Sequence, residues 1–223
     1  MSLLKLTVTF ILSLSLSLFA EEPLPEISGW GVLFNSQHEI TWESKAGTFS
    51  LTAPGPVHDL SIEIKRMNAP FVLQHKTGDF DITVRVDGEF SPGEKTLQVR
   101  TPYHGAGILL MADPYNYMRL ERATLTNSSG QRHYANYEFR VNGKHQRFGK
   151  VTDFPLKPGL STWFKVSRKG NEFITAIKQP GGDWVPLPNR SVSYPPNLNV
   201  GVAAVNVSTK SLTANFSEFQ LTP

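Results

Sequence analysis

The chain has 223 residues, 39% hydrophobic and 18% charged, with 22 Lys and Arg against 19 Asp and Glu for a formal net charge of +3. That small, dispersed excess of base excludes the basic patch a nucleic-acid-binding protein needs, and the absence of Cys excludes a disulfide scaffold, a Cys-ligated metal site and a lipid-modified N-terminal cysteine. With 17 Gly, 16 Pro and 14 Phe spread along the chain, the texture is that of many short strands joined by turns.

In chain order, Lys5 precedes an apolar and Ser/Thr run over residues 6–19, which ends at Ala20 and is broken by Glu21, Glu22, Pro23 and Pro25. Residues 1–20 read as a signal peptide. The run is shorter than the roughly 20 residues needed to span a bilayer, so the reading leaves no stable membrane anchor after cleavage and makes the protein secreted, extracellular or periplasmic. The remainder, residues 21–223, is of single-domain size and is expected to be one β-sandwich domain.

Gly29, Trp30 and Gly31 are followed by Glu39 to Trp42 and by Thr48 to Thr52, whose alternation suits a strand near a sheet edge; Pro54, Gly55 and Pro56 then force a loop. Residues 79–87, DFDITVRVD, alternate cleanly, with Phe80, Ile82, Val84 and Val86 on one face. In residues 105–122, GAGILLMADPYNYMRLER, a short apolar run ends at an Asp113-Pro114 turn. Beyond the turn Tyr117, Arg119 and Glu121 point one way and Met118 and Leu120 the other. Residues 134–141 repeat the pattern, with Tyr137, Phe139 and Val141 inward, Tyr134, Asn136, Glu138 and Arg140 opposite, and an Asn142-Gly143 hairpin turn after them.

Trp163 to Gly170 and Glu172 to Lys178 form a second hairpin around Gly170-Asn171. Gly181 and Gly182 turn the chain into an edge at Trp184 to Leu187, and Leu198 to Asn206 and Leu212 to Leu221 read as the closing strands. No long stretch carries a helical period. The pattern predicts an all-β, two-sheet antiparallel sandwich.

Four blocks, GDFDITVRV, GAGILLMADPYNYMRLER, WFKVSRKGNEFITAIKQPGGDWVPL and NVGVAAVNVSTKSLTANFSEFQL, resemble the concanavalin A-like lectin/glucanase superfamily, and within it the secreted domains labelled "regulation of enolase protein-like". Trp163, Arg168, Gly170, Phe173, Gly182 and Trp184 carry the most specific part of the likeness, which covers residues 78–221 and more weakly 29–72. The resemblance implies a jelly roll with one concave sheet. Superfamily members bind or cleave glycans, whereas these particular domains are mostly of unknown activity, and a fold does not by itself give a function.

Glycoside hydrolysis needs two carboxylates across the scissile bond. The Glu-x-Asp-x-x-Glu strand that catalytic members usually carry is absent, which leaves Glu121 and Glu138 as substitutes and Asp81 as a third candidate. Arg119 and Arg140 beside them oppose the raised pKa of a general acid. The same residues also suit a solvated sheet face with ordinary cross-strand pairs. A third reading is sugar binding, in which Tyr117, Arg119, Glu121, Tyr134, Asn136, Glu138 and Arg140 supply aromatic stacking and planar polar groups on one face, with Tyr103 and Tyr115 at the rim.

Trp42, Trp163 and Trp184 sit in apolar alternation and are expected in or over the core, while Trp30, between two glycines, is the freer aromatic. His38, His58, His75, His104, His133 and His145 show no ligand spacing. Asp113 and Asn116 are weak calcium candidates, since oxygen donors in a turn are more often turn formers, and no cofactor is expected. No nucleophile elbow or phosphate loop is present. The leading expectation is a secreted, non-catalytic sandwich that binds carbohydrate or a similar polar ligand. The alternatives are a glycoside hydrolase or polysaccharide lyase using Glu121 and Glu138, and a structural or protein-interaction module of the cell envelope.

Overall fold

The computed structural model describes residues 23–37, 39–94, 96 and 100–223, so the signal-peptide reading and His38 lie outside the described residues. The chain runs through β1 (Glu26–Ile27), β2 (Gly31–Phe34), β3 (Thr41–Lys45), β4 (Thr48–Ala53), β5 (Leu60–Ser61), β6 (Arg66–Met67), β7 (Phe71–Thr77) and β8 (Phe80–Gly88). Three long strands follow, β9 (Tyr103–Asp113), β10 (Asn116–Asn127) and β11 (Gly130–Val141). The remainder is β12 (Lys144–Arg147), β13 (Thr162–Lys169), β14 (Glu172–Lys178), β15 (Val185–Pro186), β16 (Arg190–Ser191), β17 (Asn197–Val207) and β18 (Leu212–Thr222).

These form the expected all-β jelly-roll sandwich. One sheet has the order β1-β2-β7-β17-β9-β10-β11-β12 and the other β15-β14-β13-β8-β18-β4-β3, with β16 on β14, and all pairings are antiparallel. The last two strands do not pair with each other. β17 lies inside the first sheet, between β7 and β9, and β18 inside the second, between β8 and β4, so the C-terminal segment contributes an interior strand to each.

The alternation read from the sequence decides which side chains meet between the sheets. Phe80, Ile82, Val84 and Val86 of β8 face Ile108, Leu110, Met118, Leu120, Tyr137 and Phe139 of the first sheet, all essentially without solvent contact. Each such side chain contributes about 1.5–3 kcal/mol by leaving water. Two arginines close the sandwich ends by binding carbonyls. Arg122 donates to the carbonyl of Leu160 (2.7 Å) and the hydroxyl of Thr162 (2.9 Å), and Arg168 donates to the carbonyls of Gly170, Tyr194, Pro195 and Pro196.

The tryptophans reverse the expectation. Trp30 is only 4% exposed and stacks on Phe219 at 4.8 Å beside Phe49 at 5.5 Å, whereas Trp42 and Trp184 are each 40% exposed. Trp42 lies on the edge strand β3 and Trp184 just before the edge strand β15, where no further strand covers them. Trp163 is half-buried on the outer face of the second sheet, between Arg85 (5.0 Å) and Lys178 (5.3 Å).

A second, smaller apolar cluster lies on the outer face of the first sheet. The segment from Val57 to Ala69, including β5 and β6, crosses that face, and Val57, Leu60 and Ala69 pack on Leu73, Leu109, Met111, Tyr117, Ala203 and Val205. Half of the face is thereby closed. The other half, over β10, β11 and β12, stays open and holds the polar residues. Among the described residues no helix is long and apolar enough to cross a membrane.

Candidate binding cleft

Antiparallel pairing sets Tyr117 opposite Arg140, Arg119 opposite Glu138, Glu121 opposite Asn136 and Ala123 opposite Tyr134. Since side chains alternate, all of these project from one face, away from Met118, Leu120, Tyr137 and Phe139. The Asn142-Gly143 turn, with both residues at positive φ, carries the pattern into β12, where His145 stands opposite Arg140 and Arg147 opposite Glu138. The face therefore bears a lattice of charged and amide groups three strands wide.

Glu138 is its centre. Its Oε1 accepts from Arg119 through Nε (2.7 Å) and Nη2 and lies 2.9 Å from Arg140 Nη1, while Oε2 lies 2.9 Å from His145 Nε2. Burial alone would raise the Glu138 carboxyl, but Arg119, the His145 hydrogen bond and Arg140 outweigh it and hold the pKa well below the usual carboxylate range. Glu121 has the opposite balance. Burial, opposed by Arg119 and reinforced by the charge of Glu138, raises its pKa, and its Oε1 accepts from Tyr103 Oη and from Asn136 Nδ2 (2.9 Å), with Arg119 Nη1 3.8 Å away. Burial also pushes the Tyr134 hydroxyl up to about 12.

Gly105 and Gly107 of β9 make this possible. A Cβ at Gly105 would stand 2.6 Å from Tyr103 Oη and 2.9 Å from the Glu121 carboxyl carbon, and one at Gly107 would stand 2.2 Å from the Leu120 carbonyl oxygen. The two glycines are thus the hollow into which Glu121 and Tyr103 fit.

The open space is a cleft of about 350 Å³. Its floor is Arg119, Tyr134, Asn136, Glu138 and Arg140, its walls are Tyr103, His145 and Arg147, and its rim is Asp59, Ser61, Glu63, Arg100 and Thr101. The rim is tied to the floor by Glu63 to Arg140 at 2.9 Å, and Asp59 binds Arg100 at 2.7 Å. Arg147 donates to Asn136 Oδ1 (3.0 Å) and the Tyr134 hydroxyl (3.3 Å).

Of the seven residues expected on one binding face, all lie on that face and five line the cleft. Tyr117 sits beneath the Val57 to Ala69 cover, its hydroxyl donating to the Leu60 carbonyl at 2.8 Å, and Glu121 lies under Tyr103. Tyr115 belongs to the β9–β10 turn and is 57% exposed, outside the cleft. Asp81 is on the second sheet, bound by the Ser167 hydroxyl, and cannot act with Glu121 or Glu138. Asp113 accepts from Tyr115 N–H (2.7 Å) and Asn116 Nδ2 (2.9 Å), and Asn116 Oδ1 accepts from Asn142 N–H. Their oxygens are occupied in holding adjacent turns, and among the described residues no group of three or more His, Cys, Asp or Glu is placed to hold a metal ion.

The face is not a solvated exterior: Arg119, Glu121, Asn136, Glu138 and Arg140 are all buried. Sequence reasoning missed His145 and Arg147, although counting across the Asn142-Gly143 hairpin would have placed both. Asp59, Ser61, Glu63 and Arg100 carry no local signal, because they arrive from loops that only the folded chain brings to this face.

The sequence pattern of the family described as "Protein of unknown function (DUF1349)" matches residues 35–223. No curated protein matches the sequence. Among solved structures, a functionally unknown protein from Saccharomyces cerevisiae superposes with a TM-score of 0.66 at 18% identity over 89% of this chain and 99% of its own. A xylan beta-1,4-xylosidase from Bacillus halodurans C-125 gives 0.59 at 15% identity over 92% of this chain but 40% of its own. The carbohydrate binding module CBM66 from Bacillus subtilis gives 0.54 at 12% identity over 89% of this chain and 100% of its own. At such identities the likeness shows the concanavalin A-like sandwich and nothing finer. With a family pattern spanning most of its length, the chain belongs to the DUF1349 family of proteins of unknown function.

Proposed function

We propose that this protein is a secreted, non-catalytic module that binds carbohydrate in the cleft over β10, β11 and β12. The observation that carries the reading is the rigid display of Arg119, Asn136, Glu138, Arg140 and Arg147 around one opening, with each floor residue held by strand pairing and by a neighbour. Planar polar side chains fixed in this way bind hydroxyl-rich ligands without losing rotamer freedom on association. The fold likeness to a carbohydrate binding module supports the class of ligand. Affinity electrophoresis through a panel of soluble polysaccharides tests it: at least one should retard the protein, and Asn136→Ala with Arg147→Ala should abolish the retardation. Retardation unchanged in that double variant overturns the site. Binding is expected to persist in EDTA, since Asp113 and Asn116 are committed to their turns.

A second reading rests on the opposite pKa displacements of Glu121 and Glu138, a pattern that in glycosidases separates an acid from an anion. It is the weaker one, because Tyr103 covers Glu121 and both oxygens of Glu138 are already engaged. Sugar released from a polysaccharide by the wild type and lost in Glu121→Gln would establish it.

A further inference from the structure

Among the residues that line the cleft, the arginines outnumber the carboxylates. Asp59 is matched by Arg100, Glu63 by Arg140 and Glu138 by Arg119. Arg147, the fourth guanidinium of the lining, has among the described residues the neutral oxygens of Asn136 and Tyr134 as its acceptors. Glu121, the remaining acid nearby, is not part of the lining: it lies under Tyr103, with Arg119 Nη1 3.8 Å away.

Two further groups point the same way. Arg119 and Arg140 have side chains 7% and 3% exposed, and both line the cleft. Arg119 Nη1 and Arg140 Nε are buried N–H groups without a hydrogen-bond acceptor. A buried donor without an acceptor costs about 1–3 kcal/mol, more when charged, and native proteins keep few of them. Here two occur on neighbouring strands, beside an arginine that has no carboxylate partner among the described residues.

We infer that the glycan bound in this cleft is acidic: a sugar whose carboxylate is held by Arg147 with Arg119 and Arg140, and whose hydroxyls are taken by Asn136 and Tyr134. Guanidinium and carboxylate match as two planar, doubly hydrogen-bonding groups. The hydroxyls of a uronate suit the Asn136 amide and the Tyr134 hydroxyl beside them. The volume of about 350 Å³ lies at the lower end of small-ligand sites, which fits a short sugar unit better than a long stretch of chain. The inference rests on the carbohydrate-binding reading of the same cleft.

Titration calorimetry with four probes tests both: a short oligogalacturonate, its carboxyl-reduced neutral counterpart, acetate, and inorganic phosphate. The expected result is binding of the oligogalacturonate, weakened at least about tenfold by carboxyl reduction, as loss of a charge-assisted hydrogen bond implies, with acetate and phosphate much weaker still. Arg147→Ala, on an exposed edge strand, should weaken oligogalacturonate binding about tenfold or more, with Arg147→Lys intermediate. Glu63→Gln, which removes a carboxylate that competes for Arg140, should tighten it severalfold. Equal affinity for the acidic and reduced sugars overturns this inference and leaves carbohydrate binding standing. Acetate or phosphate binding as tightly as the oligosaccharide shows a simple anion site and overturns it as well. Failure of both sugars and of the wider polysaccharide panel sinks the two readings together.

Discussion

Arg119 and Glu138 face each other directly across the β10–β11 ladder, and the guanidinium grips a single carboxylate oxygen of Glu138 through both Nε and Nη2. Both side chains are nearly sealed from solvent, and Arg140 leans on the same oxygen.

Glu138→Gln should destabilise the protein by about 3–5 kcal/mol, the cost of leaving buried charges uncompensated. Adding Arg119→Met should restore part of the loss, because the two positions share one interaction. Urea denaturation measures both variants. A loss under about 1 kcal/mol, the range of exposed pairs, would contradict the burial of this pair.

Glu121 and Glu138 should respond oppositely to pH. The Glu121 carboxyl titrates higher in the fold than its unfolded value of about 4.3, so its contribution is complete below that value and is lost as pH rises through the folded pKa. For Glu138, whose folded pKa is depressed, the contribution is present above the unfolded value and is lost as pH falls through the folded one. Glu121→Gln should therefore gain stability relative to wild type as pH rises above about 4.3. An offset that stays constant across denaturation curves at three pH values would argue against it.

His104 is fully buried, its Nε2 donating to the Lys210 carbonyl at 3.0 Å, and burial depresses its pKa from 6.5 to about 4. Between those values the unfolded chain binds the extra proton, so stability should fall as pH drops from 6.5 towards 4, by about 3 kcal/mol in all at 1.36 kcal/mol per unit. His104→Gln should flatten that limb. Thermal melts from pH 4 to 7 decide the point, and an unchanged acid slope in the variant would falsify the assignment.

Gly107→Ala should be worse tolerated than Gly105→Ala. At Gly107 the new methyl meets the Leu120 backbone carbonyl, which cannot move without breaking the β9–β10 ladder, and a loss of about 3 kcal/mol or more is expected. At Gly105 it meets the ends of the Tyr103 and Glu121 side chains, which can shift where a backbone carbonyl cannot, at about 1–3 kcal/mol. Melting temperatures in the reverse order would refute the packing argument.

Trp30→Ala should cost about 3–5 kcal/mol, as other large core truncations do. Trp42→Ala and Trp184→Ala should each cost under about 1 kcal/mol, being edge positions with much of the ring in water. Comparable losses for Trp30 and Trp184 would reverse the assignment.

By itself the sequence determined what is local. Two-residue alternation in residues 79–87, 117–121 and 134–141 separated Phe80, Met118 and Phe139 from Arg119, Asn136 and Glu138, and Asn142-Gly143 and Gly170-Asn171 marked hairpins, because pleat and turn chemistry depend only on neighbouring residues. Only the tertiary structure decided what depends on distant ones. It separated β17 from β18, buried Trp30 under Phe219, laid the Val57 to Ala69 segment over Tyr117 and brought Asp59, Glu63 and Arg100 to the cleft. It also gave two glutamates on the same face opposite pKa displacements. A carboxylate's environment is the sum of burial and charges contributed by several strands, and no single stretch of sequence contains that sum.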